Sequence, residues 1–391
     1  MSDPIATVTA VTSQVRGPRV STIELFFDLV FVFTVMQLAN VFVKHVDATY
    51  ALRVLLMLGI IWWMYGGYAW LTNAVAPSST LRRTLLLTGM AGFMVIALSI
   101  PYAFDGDGWA FGVGYALVTV VHSALFLQAD DNASIGTAIA GLAPINGTAA
   151  LIVLAGGFLG GAWQYGLWTT ALVLVVAAPY LQRSMGIWTI DAGHFAERHG
   201  LVVIVAIGES VISIGLAFAG MHIDPAALLV ALLGLCIAYY LYWNYFSGDE
   251  TRAEHALHTI AEPVRKARVA VVAWGYAHYF LIAGIVFTAV GVKLSVGHAF
   301  EPLHWPSAIV LSVGVATFLL GHAWFLSTLE VPGAWYRVAA AAGVMAAIPL
   351  GHWRAVAQVT AVLLVMAAAV IAKDIKTVRA QHTTAIHDFG R

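Results

Sequence analysis

The chain of 391 residues is 61% hydrophobic and 10% charged, with 19 Lys and Arg against 20 Asp and Glu and a net charge of −1. A soluble domain carries about a quarter of its residues as charges to cover its surface, so this composition excludes a water-soluble globular protein. The balanced charge, without any basic tract, gives no footing for a nucleic-acid partner. A lone cysteine, Cys236, excludes an intrachain disulfide and any multi-cysteine metal centre, and nothing in the sequence requires a cofactor.

A spanning helix needs roughly 20 mainly apolar residues to cross about 30 Å of hydrocarbon. Residues 1–20 form a polar N-terminal tail without the basic-then-apolar layout of a cleaved signal. The first apolar stretch, 22–43, contains Glu24 and Asp28 and reads as a retained span. Further spans are predicted at 50–74, 83–104, 109–128, 136–158 and 164–181, then at 199–219, 225–246, 268–292, 305–327, 335–350 and 353–372. The fifth contains Pro144 and Asn146 and the eleventh is short, so these two carry the weakest signal. The fold class is therefore all-α, a polytopic bundle of about twelve spans over 21–372, with a C-terminal tail at 373–391.

Basic residues concentrate on the cytoplasmic side of spanning proteins. With the N-terminus in the cytoplasm, 15 of the 19 Lys and Arg fall on that side, leaving only Lys44, Arg53, Lys293 and Arg354 opposite. Both termini are thus expected in the cytoplasm. The longest polar segments, 182–199 and 247–267, fall on the same side. The second places Glu254, His258 and Glu262 at four-residue spacing, with Ala256, Leu257, Ile260 and Ala261 beside them, which predicts a short amphipathic helix at the membrane surface. Glu254, His255, His258 and Glu262 are metal-ligand types, but a solvated face with pairs one turn apart is the plainer reading. A six-plus-six repeat, with halves 21–181 and 199–372, would run helices one and seven the same way, each with a deep carboxylate.

Charged groups inside hydrocarbon cost about 2.5–3.5 kcal/mol on insertion scales and so face protein or water. Helix one reads Glu24-Leu-Phe-Phe-Asp28-Leu-Val-Phe-Val-Phe33, with Glu24 at the boundary and Asp28 one turn deeper on the same face. Gln37 and Asn40 follow near the far end, which predicts a helix surrounded by protein. Helix seven reads Ile207-Gly208-Glu209-Ser210-Val-Ile-Ser213. Counted from Arg198, Glu209 lies about 16 Å in, near the midplane, beside the small residues Ala206, Ser210, Ser213 and Ala217. His122, His278 and His322 are the intramembrane histidines. Singly, each reads as a hydrogen-bonded interior histidine. With the two carboxylates they would form a proton relay or a metal site. Glu197 and Arg198 are expected to pair across helix ends. No zinc-protease order surrounds Asp191, His194, Glu197 and His199, and no G-x-x-x-x-G-K-[ST] loop is present, which removes ATP-driven transport. Gly156-Gly-Phe-Leu-Gly160-Gly161 reads as close helix packing or a loop.

The segment from Glu24 to Phe33, following Arg19-Val-Ser, resembles the first-helix signature of the bacterial low temperature requirement protein A family. Glu197-Arg198-His-Gly200-Leu, continuing to Ile207-Gly208-Glu209-Ser210, resembles its second. His278 followed by Gly284-Ile285 and Ala289-x-Gly291 is similar to its third. The resemblance implies a many-helix protein of the bacterial inner membrane and directs attention to Glu24, Asp28, Glu197, Arg198, Glu209 and His278; it implies no reaction. Phe27-Asp28-Leu-Val-Phe31 is also similar to the first-helix motif of lysosomal potassium channels built from two six-helix repeats, with Phe27 where that motif has serine and no second copy in helix seven.

These residues lead to a transporter, proton-coupled or cation-handling, with Asp28 and Glu209 as the acidic groups and His278 as a relay. His122, His322 and Ser213 support that site. The alternatives are an intramembrane enzyme acting on a lipid or other hydrophobic substrate, with Glu209 and His278 within reach of each other, and a channel or membrane sensor. The partners expected are the lipid bilayer and a small ion or small hydrophobic substrate, with oligomerisation left open.

Overall fold

The computed structural model describes residues 20–75, 78–128, 133–181, 190–218 and 222–389, and side chains within these outside 133–140 and 374–389. Among them no strand occurs, and twelve helices are long and apolar enough to cross a membrane. The spans are α1 (Thr22–Lys44), α2 (Ala48–Ala74), α3 (Thr80–Ser99), α4 (Gly108–Phe126), α5 (Ala133–Leu159) and α6 (Gly161–Leu181), then α7 (Ala192–Leu216) and α8 (Pro225–Phe246). After a short α9 (Asp249–Thr259), the ninth span is built from α10 (Pro263–Ala270), a π-helical segment Val271–Ala277 and α11 (His278–Val296). It is followed by α12 (Trp305–Thr328), a broken eleventh span of α13 (Ala334–Ala346) and α14 (Ile348–Trp353), and α15 (Ala355–Phe389).

Short polar residues start these helices. Asp47 accepts from Tyr50 N–H, Ser79 from Arg82 N–H, Asp191 from His194 N–H and Asp224 from Ala227 N–H, each satisfying a donor that the first turn leaves free. Gly160 and Gly161 have positive φ and make the turn between α5 and α6, while Gly157 meets the Gly108 backbone closely enough to exclude a side chain. The glycine run is thus both a loop and a packing contact. The short eleventh span is interrupted at Ala347, where Pro349 opens α14.

α11 is the axis of the bundle. Its span is 78% buried, against 28% for α5 and for α6, whose exposed Leu151, Phe158, Trp163 and Val173 mark a lipid-facing flank. Glycines set its partner: Gly284 and Gly291 of α11 and Gly314 of α12 lie so close to the opposing backbone that a methyl group would collide. α1 packs against α3, α7 and α11. It is not surrounded by protein, as its polar residues had suggested, because Leu25, Phe26 and Leu29 are exposed on one side. The segment after α8 also differs from expectation. Gly248, with φ 88°, turns the chain into α9, and Ala253 and Leu257 are buried in a cluster with Phe195 and Ala267, so the apolar side of α9 covers α7 and α10 rather than lipid.

Candidate functional site

The site begins at the end of the bundle where α1 and α7 start. Glu24 lies in the first turn of α1, and its Oε2 accepts from the backbone N–H and hydroxyl of Ser21, at 2.8 and 2.7 Å. That leaves Oε1 to face α7, where it accepts from Arg198 Nη1 at 2.9 Å and lies 3.3 Å from His194 Nε2. One turn deeper, Asp28 Oδ1 accepts from Arg198 Nη2 at 3.2 Å and from the Tyr65 hydroxyl of α2 at 3.0 Å. Arg198 also donates to the Thr72 hydroxyl, and its guanidinium lies 5.4 Å from the centre of the Phe27 ring. Glu24, Asp28 and Arg198 are 1–2% exposed. Among the described residues, Asp28 Oδ2 and Arg198 Nε have no hydrogen-bond partner.

Arg198 therefore pairs across helix ends, with α1. Glu197, next to it, is exposed, and among the described residues its Oε2 takes a long contact of 3.4 Å from the Val20 N–H. The Asn73 side chain holds the end of α2 to the start of α7, donating to the Asp191 carbonyl at 3.0 Å and accepting from its N–H at 3.1 Å.

The second layer is built on the π-helical turn. A π-turn opens the i→i−4 ladder and leaves carbonyls for other donors. The Trp62 indole N–H donates to Gly275 O at 2.7 Å, and His278 Nδ1 bonds Ala273 O at 2.8 Å. A carbonyl only accepts, so Nδ1 carries the proton, and His278 Nε2 accepts from the Tyr245 hydroxyl at 2.8 Å. The His278 ring also meets His199, with centroids 5.6 Å apart, and His199 Nδ1 bonds Phe195 O at 2.8 Å. His278 is thereby a fully satisfied interior histidine.

Beyond Tyr245 lies a second charged cluster. Asp249, fully buried, accepts from Arg337, from Arg252 and from Lys373 Nζ, the last at 3.1 Å. Arg337 Nε donates to His322 Nδ1 at 3.0 Å, which places the His322 proton on Nε2, 3.9 Å from Asp249. Glu209 is elsewhere. α7 begins six residues before Arg198 and ends seven after Glu209, so this acid lies beyond the helix centre, towards the far end. It accepts from the Ser213 hydroxyl at 2.8 Å, and its charged neighbour is Lys293 of α11. His122 of α4 stands apart in the wall of a cavity. The structure thus joins Glu24, Asp28 and Arg198, links His278 to them through the His199 and Tyr65 rings, places His322 against Tyr245, the partner of His278, and leaves Glu209 and His122 in separate surroundings. Among the described residues no group of three His, Cys, Asp or Glu side chains is arranged to hold a metal.

Sequence reasoning weighed His194 and His199 only as zinc ligands and set them aside, and it did not find Thr72, Tyr65, Tyr245 or the grouping of Asp249 with Arg337, Arg252 and Lys373. Arg198 and Glu24 are 174 residues apart and Arg337 and Asp249 are 88 apart, and no local spacing announces either pair. His199 had a signal, lying beside Arg198 in the second signature.

The geometry gives those signatures a physical meaning. The first supplies the acids, the second the guanidinium and His199, and the third His278 with the glycines that hold α12 against α11. At Phe27, where the channel motif has serine, the ring fills the core between Tyr68 and Phe93, at 4.8 and 5.2 Å. Residues 19–372 match the family model described as Bacterial low temperature requirement A protein, and the chain belongs to that family. It is also 29% identical to an uncharacterized protein of Rhizobium meliloti over 317 residues, 77% of this chain and 75% of the relative. No solved structure matches it.

Proposed function

We propose that this member of the bacterial low temperature requirement A family is a proton-coupled or cation-handling transporter of the inner membrane, with Asp28 as the group that takes up and releases the proton or cation. The observation that carries the reading is a charge imbalance. Glu24 and Asp28 share one guanidinium in a place that is 1–2% exposed. Fully ionised, with His194 neutral, the set holds one negative charge too many, and an uncompensated buried charge is costly. A proton on Asp28 or His194, or a small cation, removes it. Glu24 is saturated by Ser21, Arg198 and His194, whereas Asp28 keeps one oxygen without a partner. Exchange is therefore assigned to Asp28.

Glu209 is the second acidic station, about 16 Å further along α7. Between them α7 buries the small residues Gly200 and Ala206, and Ser210 and Ser213 follow beside and beyond Glu209, a stripe that lets neighbouring helices approach closely. Tyr65 holds the acceptor oxygen of Asp28, and the His199–His278–Tyr245 group braces the helices behind it. The concentration of Lys and Arg at the Asp28 end supports a cytoplasmic placement of that station.

Reconstitution into liposomes loaded with a pH-sensitive dye tests the reading. Under an imposed potential the parent is expected to carry protons or a monovalent cation above protein-free liposomes, and Asp28→Asn to lose the flux by about a hundredfold. Glu209→Gln is expected to lose it too. A parent no faster than empty liposomes, or Asp28→Asn as fast as the parent, overturns it.

A further inference from the structure

On the lipid-facing flank, between α2, α4, α5, α6 and the helix that begins at Pro263, lies a cavity of about 120 Å3. Trp62, Trp63, Trp70 and Phe126 wall it, and Gly66 and Gly67 withhold side chains from its floor. The walls are fixed. Trp62 is tied to Gly275 O at 2.7 Å, and Trp63 stacks on Tyr276 at 5.5 Å. A Cβ built on Gly66 meets nothing within 4 Å, so the space above it is open. His122, 4% exposed, lines this apolar surround with Asn146 of α5 beside it, and its Nε2, packed over Gly67, has no hydrogen-bond partner among the described residues. None of Asp28, Glu209 and His278 lines the cavity.

We infer that this cavity is a binding site for a single aromatic ring bearing a hydroxyl, the head of a phenol- or quinol-type molecule that reaches it from the bilayer. Size selects the ring, since an engineered apolar cavity of about 150 Å3 takes up benzene. The aromatic walls offer it edge and face contacts. The unpartnered nitrogen selects the hydroxyl. A neutral imidazole nitrogen either donates or accepts, and a hydroxyl does both, so it satisfies His122 in either tautomer, whereas a carbonyl, which only accepts, or an ammonium, which only donates, would not. An acyl chain would fill the volume and leave the buried nitrogen unpaired, at a cost of about 1–3 kcal/mol.

The test uses the full-length protein in lipid nanodiscs, with 4-butylphenol and butylbenzene as probes and tryptophan fluorescence as the readout, since three tryptophans form the wall. The parent is expected to show saturable quenching by 4-butylphenol beyond that of empty nanodiscs. Gly66→Leu places a side chain in the open space on a helical backbone that favours leucine over glycine, and is expected to abolish saturation without loss of thermal stability. His122→Leu is expected to weaken 4-butylphenol about tenfold and leave butylbenzene unchanged. Undiminished quenching in Gly66→Leu, or no saturable quenching in the parent, overturns the site. Equal effects of His122→Leu on the two probes overturn the hydroxyl and leave a purely apolar cavity. If His122→Leu fails to fold, parent affinities that do not favour 4-butylphenol over butylbenzene, measured relative to partition into empty nanodiscs, overturn the hydroxyl in its place.

Discussion

Two buried charge clusters occupy the end of the bundle where α1 and α7 begin, and their arithmetic is opposite. At Asp249 one carboxylate accepts from three cations, Arg337, Lys373 and Arg252, and both of its oxygens are engaged. At Asp28 two carboxylates share one guanidinium, and an oxygen is left over. The first arrangement ties the end of α8 to α13 and α15 and offers nothing to exchange. The second is held as firmly at Glu24, yet leaves a position where a charge can come and go. Burial of a carboxylate therefore does not separate the two clusters; incomplete satisfaction of a buried carboxylate does, and the exchange proposed at Asp28 rests on that difference.

The largest effect is expected at Asp249. Asp249→Asn leaves Arg337, 2% exposed, facing Lys373 without a counter-charge, and removing one partner of a buried pair costs about 3–5 kcal/mol. Thermal unfolding in detergent should show it as a lower midpoint. A midpoint within error of the parent would mean that the cluster is not a staple, and the comparison would lose one of its terms.

Arg198→Met comes next. It strands Glu24 and Asp28 together, and a loss close to that at Asp249 is expected, relieved in part by Ser21 and His194 at Glu24. Adding Glu24→Gln and Asp28→Asn to Arg198→Met should recover most of that loss, because the stranded charges then disappear. A triple variant no more stable than Arg198→Met would show that the guanidinium acts through its packing on Phe27 and Tyr65 instead.

Between the clusters, Tyr245→Phe removes the donor to His278 Nε2 and leaves a buried acceptor empty, a loss of about 1–2 kcal/mol. Tyr245→Phe combined with His278→Leu should cost less than the sum of the two changes, since they share one hydrogen bond. Strict additivity would mean that the bond contributes nothing to stability.

How much of this the sequence disclosed depends on the range of the interaction. Hydropathy and charge segregation act along the chain, so twelve spans were legible, including the weak fifth, in which Pro144 lies inside α5. Glu24 and Asp28 one turn apart were legible as well, because helical spacing is local. The partner of an acid is a matter of packing. Nothing near Asp249 points to Arg337, and nothing near Glu209 points to Lys293 as its charged neighbour, well apart from Asp28. The lipid-facing strip of α1 was hidden for the same reason, since Leu25 and Phe26 are as apolar as the buried Phe27 and Phe31. The cavity beside His122 depends on glycines in α2 that composition alone does not distinguish from packing glycines.

The smallest change in stability is expected where the functional effect is largest. In Asp28→Asn the carboxamide oxygen takes the place of Oδ1 and still accepts from Tyr65 and Arg198. The amide nitrogen falls where Oδ2 had no partner, so one unpaired polar atom replaces another. Arg198 keeps Glu24 as its counter-ion, and the excess negative charge is gone. These terms oppose each other, and the midpoint should move by no more than the equivalent of about 1 kcal/mol, in either direction, against about 3–5 kcal/mol for the same substitution at Asp249. Unfolding of the two asparagine variants side by side decides it. If Asp28→Asn is as damaging as Asp249→Asn, then Asp28 is a staple too, its free oxygen is filled by a bound water, and the exchange assigned to it must move to Glu209.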